Sequence, residues 1–402
     1  MHEEMGLDRS AFRDHVAVVG IGATEFSRNS GRSELRLAVE AIYRAVEDAG
    51  LTVDEIDGIV KYSYDTSGDP PTVAAALGLP DMSFWSLASG AGTGSCAIVG
   101  HAANALLTGQ AKYVVCYRAM NGNSGVRYGT SMGRSVRSTV GGGYSYEEFH
   151  RPYGLTSPAQ FFALLAKRHM IEFGTPQEAL GAVAVACRNH AARNPHAQMQ
   201  TPITIDDYLH SRWIAEPLHL LDCCLTTDGA AAVVVTTAER ARDLRQRPVY
   251  ISAWGQAAGP DPTPGILNAW LTREAIAETA GRYLAPKLYA MAGVGAEEID
   301  VAQFYDCFTI TVLMQIEDYG FCKKGEAADF IGDGSRIQLG GGLPINTAGG
   351  NLSEGYIHGF NHVLEGVRQL RGTSSAQVED ANYCLVTGGA PPATSGLILH
   401  RA

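Results

Sequence analysis

The sequence predicts an α/β protein built from two copies of one strand–helix pattern, and three observations lead there. First, a strand-like run, VAVVGIGATEF (Val16–Phe26), is matched later by VYISAWGQAAG (Val249–Gly259). Second, each run leads through a helical stretch into a shared phrase: AGLTVDEIDGIVKYSYD (Ala49–Asp65), then AGVGAEEIDVAQFYDCF (Ala292–Phe308). Third, SGAGTGSCAIVGHAANALLTGQAKYVVCY is echoed by GNLSEGYIHGFNHVLEGVRQLRG followed by ANYCLVTGG. Each of the last pair reads as a Gly-rich turn, a long helix and a buried strand.

The elements follow in order. Short apolar runs alternating with helices fit strands whose sheet is covered on both faces. In the first copy a helix is expected from about Ser33; in the second it is expected over Glu274–Met291. The halves divide as residues 1–245 and 246–402, with an insertion over about 121–217 in the first. That insertion opens with NGNSGVRYGTSMGRSVRSTVGGGYSYEEFHRPYG, which reads as a lid or substrate wall. SPAQFFALLAKRHMIEFG then reads as an amphipathic helix, and CRNHAARNPHAQMQTPIT as the end of another with a loop behind it. Two similar halves imply a pseudo-twofold axis. The turn near Ala91, the strand end near Tyr305 and the turn near Tyr356 should then meet at the centre, where helix N-termini favour anions.

Composition narrows the function. A chain of 402 residues with 46% hydrophobic and 18% charged residues suits a large globular core. Its 31 basic and 42 acidic residues give a net charge of −11, which argues against nucleic acid as a partner. The start, MHEEMGLDRSAFRDH, lacks the apolar stretch of a secretory signal, and no apolar run approaches the roughly 20 residues of a membrane helix. The expectation is a cytoplasmic protein with no membrane partner. The 8 cysteines are scattered without C-x-x-C pairs, as buried free thiols would be, and no metal site is expected. GIGATEF and GAGTGS do not satisfy the dinucleotide fingerprint, and GTGSCA is not a nucleophile elbow.

VAVVGIGATEF, CRNHAARNPHAQMQ, PLHLLDCCLTTDGAAAVVV and FYDCFTITVLMQIEDYGFC occur in an order that resembles the thiolases of the sterol carrier protein X type. The resemblance runs from about Val16 to the C-terminus. It implies the thiolase fold: two β-α-β-α-β-α-β-β halves forming a five-layered α-β-α-β-α core, with a loop insertion in the first half. It also implies a homodimer and a coenzyme A thioester as ligand. The departures matter more. Ala91 stands where those thiolases carry the nucleophilic Cys, Tyr305 in FYDCF and Tyr356 in EGYIHG replace two His, and Val386 in LVTGG replaces a late Cys. Thiolysis requires a thiolate, so that route is closed at residue 91.

Two Tyr for two His, with no Cys, resembles the lipid-transfer-protein-type aldolases of actinobacterial steroid degradation. Those remove the last three side-chain carbons as propionyl-CoA and leave a 17-ketosteroid. They work with an acyl-CoA-binding partner that has an OB-fold and a zinc-ribbon-like element, which implies a heterotetramer. Retro-aldol cleavage of a β-hydroxyacyl-CoA needs two proton-transfer groups and an oxyanion site, with no cofactor beyond the CoA of the substrate. Tyr356 is assigned to receive the hydroxyl proton, because it seems from the pattern to open a helix, and Tyr305 to protonate the enolate; the order could be reversed. An ordinary phenol, with a pKa of about 10, is a poor base unless its anion is stabilised.

Four further residues are candidates for oxyanion or substrate binding. Gly388 and Gly389 would act through backbone N–H groups. Asp306 follows Tyr305 in an extended segment and points to the other face, which favours a structural hydrogen bond. His358 lies two residues past Tyr356 in an apparent helix, off its face, and also reads as structural. His190 and His196 read as solvated or capping, and Arg127, Arg134 and Arg137 as candidates for CoA phosphates. Two other functions compete: a thiolase or acyltransferase using another Cys, such as Cys96 or Cys307, and a non-catalytic acyl-CoA or lipid carrier.

Overall fold

The computed structural model describes residues 12–63, 65–88, 90, 92–125, 151–260, 274–389 and 393–402. Nine strands form one sheet: β1 (Val16–Ala23), β2 (Gly58–Tyr62), β3 (Phe84–Ala88), β4 (Tyr113–Asn121), β7 (Asp228–Thr237), β8 (Val249–Ala257), β9 (Val301–Gln303), β10 (Tyr383–Gly388) and β11 (Thr394–Arg401). Two more, β5 (Trp213–Ala215) and β6 (Leu218–His219), make a hairpin in the insertion.

The sheet order, β3-β2-β4-β7-β1-β8-β11-β10-β9, displays the duplication. Outward from β1, the pairings with β7 and then β4 are antiparallel, and β4 to β2 is parallel. Outward from β8, β11 and β10 follow antiparallel, and β10 to β9 is parallel. The two series meet where β1 pairs antiparallel with β8 at Ala17–Tyr250 and Val18–Val249. The first half carries a further parallel strand, β3. Among the described residues its counterpart in the second half is a single parallel bridge between Ala302 and Ile345. Gly340, Gly341, Gly342 and Pro344 lie just before it, and Pro lacks the N–H a ladder needs.

Three apolar clusters define the layers. Val16 and Val18 of β1 face a central cluster, while Ala17 and Val19 face an outer one, as alternation along a strand requires. The central cluster holds helices Gly94–Leu107 and Phe360–Arg371, one from each half, both buried along nearly their whole length. Helices Glu34–Ala49 and Pro70–Leu77 cover the first half's outer face. Helices Gly281–Ala292 and Thr309–Asp318 cover the second half's, joined by Pro158–Phe173 and Gln177–Ala191 of the insertion. Outer helices, sheet, central helices, sheet and outer helices make five layers.

Local chemistry sets the helix ends. Ser33 caps the first helix by accepting from Arg36 N, and Gly50 closes it at φ 78°. The equivalent helix begins at Gly281 rather than near Glu274, because Thr279 Oγ1 accepts from Gly281 N while Thr279 N donates to Asp318. The lid expected at the start of the insertion, with Arg127, Arg134 and Arg137, falls at 126–150, outside the described residues. Among the described residues no helix is long and apolar enough to cross a membrane.

Gly100 permits the central helix to touch β8: a Cβ there would stand 2.0 Å from the Trp254 ring. Gly100→Ala should therefore lower stability by about 1–3 kcal/mol through overpacking, although Ala is intrinsically the better helix former. A denaturant-unfolding midpoint equal to or above wild type would contradict this packing.

Candidate functional site

β9 ends at Gln303, and the chain runs extended through Phe304, Tyr305 and Asp306 before helix Thr309–Asp318 begins. Tyr305 is pinned there by its backbone. Its N–H donates to Thr387 Oγ1 of β10 at 2.9 Å. Its carbonyl accepts from Thr311 Oγ1 at 2.9 Å and Gln315 Nε2 at 2.8 Å, and Gln315 in turn accepts from Thr387 Oγ1. The ring lies between two glycines. A Cβ on Gly92 would approach Tyr305 Cζ to 2.2 Å, and one on Gly359 would approach Cδ2 to 2.6 Å. Gly92 adjoins residue 91; Ala91 itself is outside the described residues.

Tyr356 comes from the turn between helices Gly350–Ser353 and Phe360–Arg371. Its N–H donates to Thr227 Oγ1 at 2.7 Å. The structure brings the two tyrosines together, with their hydroxyl oxygens 3.0 Å apart in a buried setting. Burial first, then the neighbouring phenol of Tyr356, push Tyr305 well above the ordinary phenol range.

Here the helical reading of GNLSEGYIHGF needs correction. His358 adopts φ 57° and Gly359 φ 78°, so no helix passes through Tyr356, and the next one starts at Phe360. His358 is consequently not displaced from the Tyr356 side. Its ring stands edge-to-face with the Tyr356 ring, centroids 5.2 Å apart. His358 Nδ1 accepts from Arg118 Nε at 3.2 Å and Nη2 at 3.0 Å, and its carbonyl accepts from Tyr62 Oη at 3.3 Å. Burial and the adjoining Arg118 guanidinium hold this imidazole neutral, its pKa well below the usual range.

The other candidates are placed as follows. Asp306 is fully buried; Oδ1 accepts from Asn351 N and His362 Nε2, each at 2.9 Å, and Oδ2 from Leu352 N at 3.3 Å. It anchors the Gly350–Ser353 helix rather than facing the hydroxyl pair. Gly388 and Gly389 pack against the start of the central helix: a Cβ on Gly388 would meet Ser95 Oγ at 2.0 Å, and one on Gly389 would meet Thr93 Oγ1 at 2.5 Å. Val386 is buried in β10, its carbonyl accepting from Cys96 Sγ. His190, expected to be solvated or capping, is buried, and its Nε2 accepts from Leu339 N at 3.0 Å. Burial drives its pKa down to about 4.

Every thiol is a weak acid here. Burial pushes Cys96, Cys223 and Cys322 up to about 12 and raises Cys116, Cys187, Cys224, Cys307 and Cys384 as well. Among the described residues no group of three or more His, Cys, Asp or Glu is placed to hold a metal ion. A cavity of about 430 Å³ opens beside the Tyr356 turn, with Arg28, Arg212, Gln198 and Thr226 in its wall. Gln198 Oε1 accepts from Thr227 Oγ1 at 3.2 Å, the same hydroxyl that receives Tyr356 N–H. A wider depression of about 700 Å³, lined by residues between Phe330 and Gly342, contains neither tyrosine.

The sequence reading missed Thr227, Thr387, Gln315, Lys61, Asp65 and Arg118. The last three did leave a signal: charged side chains inside the apolar strand runs GIVKYSYD and YVVCYRAM.

Family comparison agrees with this architecture. The chain matches the thiolase N-terminal domain over residues 16–239 and the thiolase C-terminal domain-like family over 268–401. It is 48% identical to the 17-hydroxy-3-oxo-4-pregnene-20-carboxyl-CoA lyase of Mycobacterium tuberculosis, covering 96% of this chain and 98% of that one. It is 47% identical to a steroid side-chain-cleaving aldolase of Thermomonospora curvata, covering 96% and 97%. Among solved structures, an Ltp2-ChsH2(DUF35) aldolase superposes with a TM-score of 0.91 at 45% identity, covering 98% of this chain and 99% of that one.

Two outcomes test the geometry. Gly92→Ala should displace the Tyr305 ring and cut turnover on the order of 100-fold while the circular dichroism spectrum stays native; full activity would contradict the clamp. His190 is neutral when folded and binds its proton at a lower pH than in the unfolded chain. Its contribution should thus be lost as pH falls from about 6.5 to about 4. Melting temperatures of His190→Gln should decline less steeply than wild type over that interval, and parallel curves would refute it.

Proposed function

The chain belongs to the thiolase family, and we propose that it is a carbon–carbon lyase rather than a thiolase: a retro-aldolase for a β-hydroxyacyl-CoA. The observation that carries this is the 3.0 Å contact between the Tyr305 and Tyr356 hydroxyls. A pair of phenols in hydrogen-bond contact can move a proton from a substrate hydroxyl to a carbon; it cannot form an acyl-enzyme. The substrate we infer is the tertiary-alcohol thioester of a steroid side chain, the class named in the lyase and aldolase relatives. A tertiary alcohol cannot be oxidised to the β-ketone that thiolysis demands. The products are then a 17-ketosteroid and propionyl-CoA.

In the cycle, the anion of Tyr356 takes the hydroxyl proton, and the carbon–carbon bond breaks to a ketone and a thioester enolate. Tyr305 protonates the enolate carbon. The proton on Tyr356 crosses to Tyr305 and restores the starting anion. Only one of two touching buried phenols ionises readily, so a single shared anion is the natural charge state. No cofactor is needed beyond the CoA carried in. The cavity with Arg28 and Arg212 beside the Tyr356 turn supports an approach for an anionic thioester at that side.

The weakly acidic thiols speak against a displaced cysteine nucleophile, and the retained hydroxyl pair against a carrier without chemistry. For assembly, β3 is a sheet edge that exposes Trp85 (54%) and Leu87 (43%), which supports a homodimer joined along it. We also place an OB-fold, zinc-ribbon-like acyl-CoA-binding partner in a heterotetramer with it, since the similar solved aldolase is titled with a second component, ChsH2(DUF35). A cytoplasmic location completes the reading.

Tyr305→Phe and Tyr356→Phe should each reduce ketone release from a tertiary 3-hydroxyacyl-CoA by about 100-fold or more, with no free CoA present and the fold retained. Activity near wild type in both variants, or a strict requirement for free CoA, would overturn the assignment.

A further inference from the structure

A buried cluster of charges stands behind Tyr356 and is not used by the cycle above. Asp65 is shared between two cations: Oδ1 lies 3.3 Å from Lys61 Nζ and Oδ2 lies 3.0 Å from Arg118 Nη1. The side chains are 3% exposed for each cation and 0% for Asp65. Lys61 also donates to the carbonyls of Asp65 and Gly68 and to Ser67 Oγ, which add no charge. Two cations on one carboxylate leave one positive charge in excess within the cluster. An unmatched buried charge is costly, and apolar replacements would usually stabilise such a place. Its retention calls for an anion nearby.

The excess is directed at the site. Arg118 presents Nε and Nη2 to His358 Nδ1 at 3.2 and 3.0 Å, and its guanidinium lies 5.3 Å from the Tyr62 ring centroid. A guanidinium has only donors, so Nδ1 must be the bare nitrogen and the ring proton must sit on Nε2. His358 carries this ring on left-handed backbone, φ 57°, a strained conformation for a residue other than glycine. That turn sets the imidazole edge-to-face with Tyr356. The titratable and charged groups around it are Arg118 from β4, Tyr62 from β2, Tyr305 beyond β9, and the Asp306–His362 pair at the foot of the next helix.

We propose that Arg118 is a positioning residue for the tyrosine pair: through His358 it places the cluster's excess positive charge behind Tyr356, as counter-charge to the one anion that the two phenols exchange. This rests on the lyase reading. It answers the difficulty that burial alone disfavours a phenolate. Lys61 and Asp65 hold the guanidinium in place, and His358 passes its orientation on to Tyr356.

The test has an arm that needs no substrate. In the wild-type protein, nitrogen NMR of labelled histidine, with His358 assigned through His358→Gln, should show Nδ1 bare and Nε2 protonated throughout about pH 6 to 8. A protonated Nδ1 or an imidazolium in that range would overturn the proposal. In the second arm, Arg118→Met should lower kcat on the order of 100-fold with KM little changed. It should also move the acid limb of the pH–rate profile to higher pH, because removing a cation makes the phenol a weaker acid. Arg118→Lys, which keeps the charge, should restore part of the limb's position and serves if the Met variant does not fold. A limb unmoved in both variants would overturn the proposal, since a purely structural loss leaves it in place. Absence of ketone release from wild type would instead sink the lyase reading alone, because the ring spectrum is read without substrate.

Discussion

Two hydroxyl groups 3.0 Å apart, neither able to leave, constrain the whole of this site. One sits just past a short parallel strand of the second half, tied by Thr387, Thr311 and Gln315. The other sits in a turn before the second central helix, tied by Thr227 at the end of the first half's sheet. The contact therefore requires both halves and the central helical layer to be in register. Gly92 and Gly359 are small because the Tyr305 ring occupies the volume their side chains would take. Asp306 belongs to the same constraint: by gathering Asn351, Leu352 and His362 it fixes the stretch that delivers Tyr356.

Burial then sets the chemical problem. The same exclusion of water that makes a proton transfer between the phenols direct also opposes their ionisation. Thiols in this interior face the identical penalty, which is why cysteines near the site, such as Cys307 beside Asp306, are held protonated and are poor nucleophiles. A phenol pair with a buried cation behind it escapes the penalty without exposing the site. On this view the excess charge of Lys61, Asp65 and Arg118 is the electrostatic complement of the hydroxyl pair.

Much of this was legible in the sequence where the signal was local. The duplicated phrases around Val16 and Val249, and the two E-I-D turns, gave the strands and their order of recurrence, because short apolar runs and turn residues act over a few positions. Ser33 as a cap was readable for the same reason. What failed was long-range. Nothing near His358 announces that Arg118, far away in the chain, will take its Nδ1, and the left-handed φ at His358 and Gly359 broke a pattern that otherwise reads as helix. His190 was misjudged because its burial comes from packing near Leu339. Lys61 and Arg118 stood out as charges inside apolar strands, but their meaning depended on Asp65 lying between them.

The account's central claim is that carbon–carbon cleavage proceeds by proton transfer with no covalent intermediate. Intact-protein mass spectrometry during turnover of a tertiary 3-hydroxyacyl-CoA in heavy water tests it directly. The account predicts a chain of unchanged mass throughout, with a single deuterium delivered to the α-carbon of the released acyl-CoA. An acyl group retained on the chain, or a released thioester without deuterium at that carbon, would contradict it.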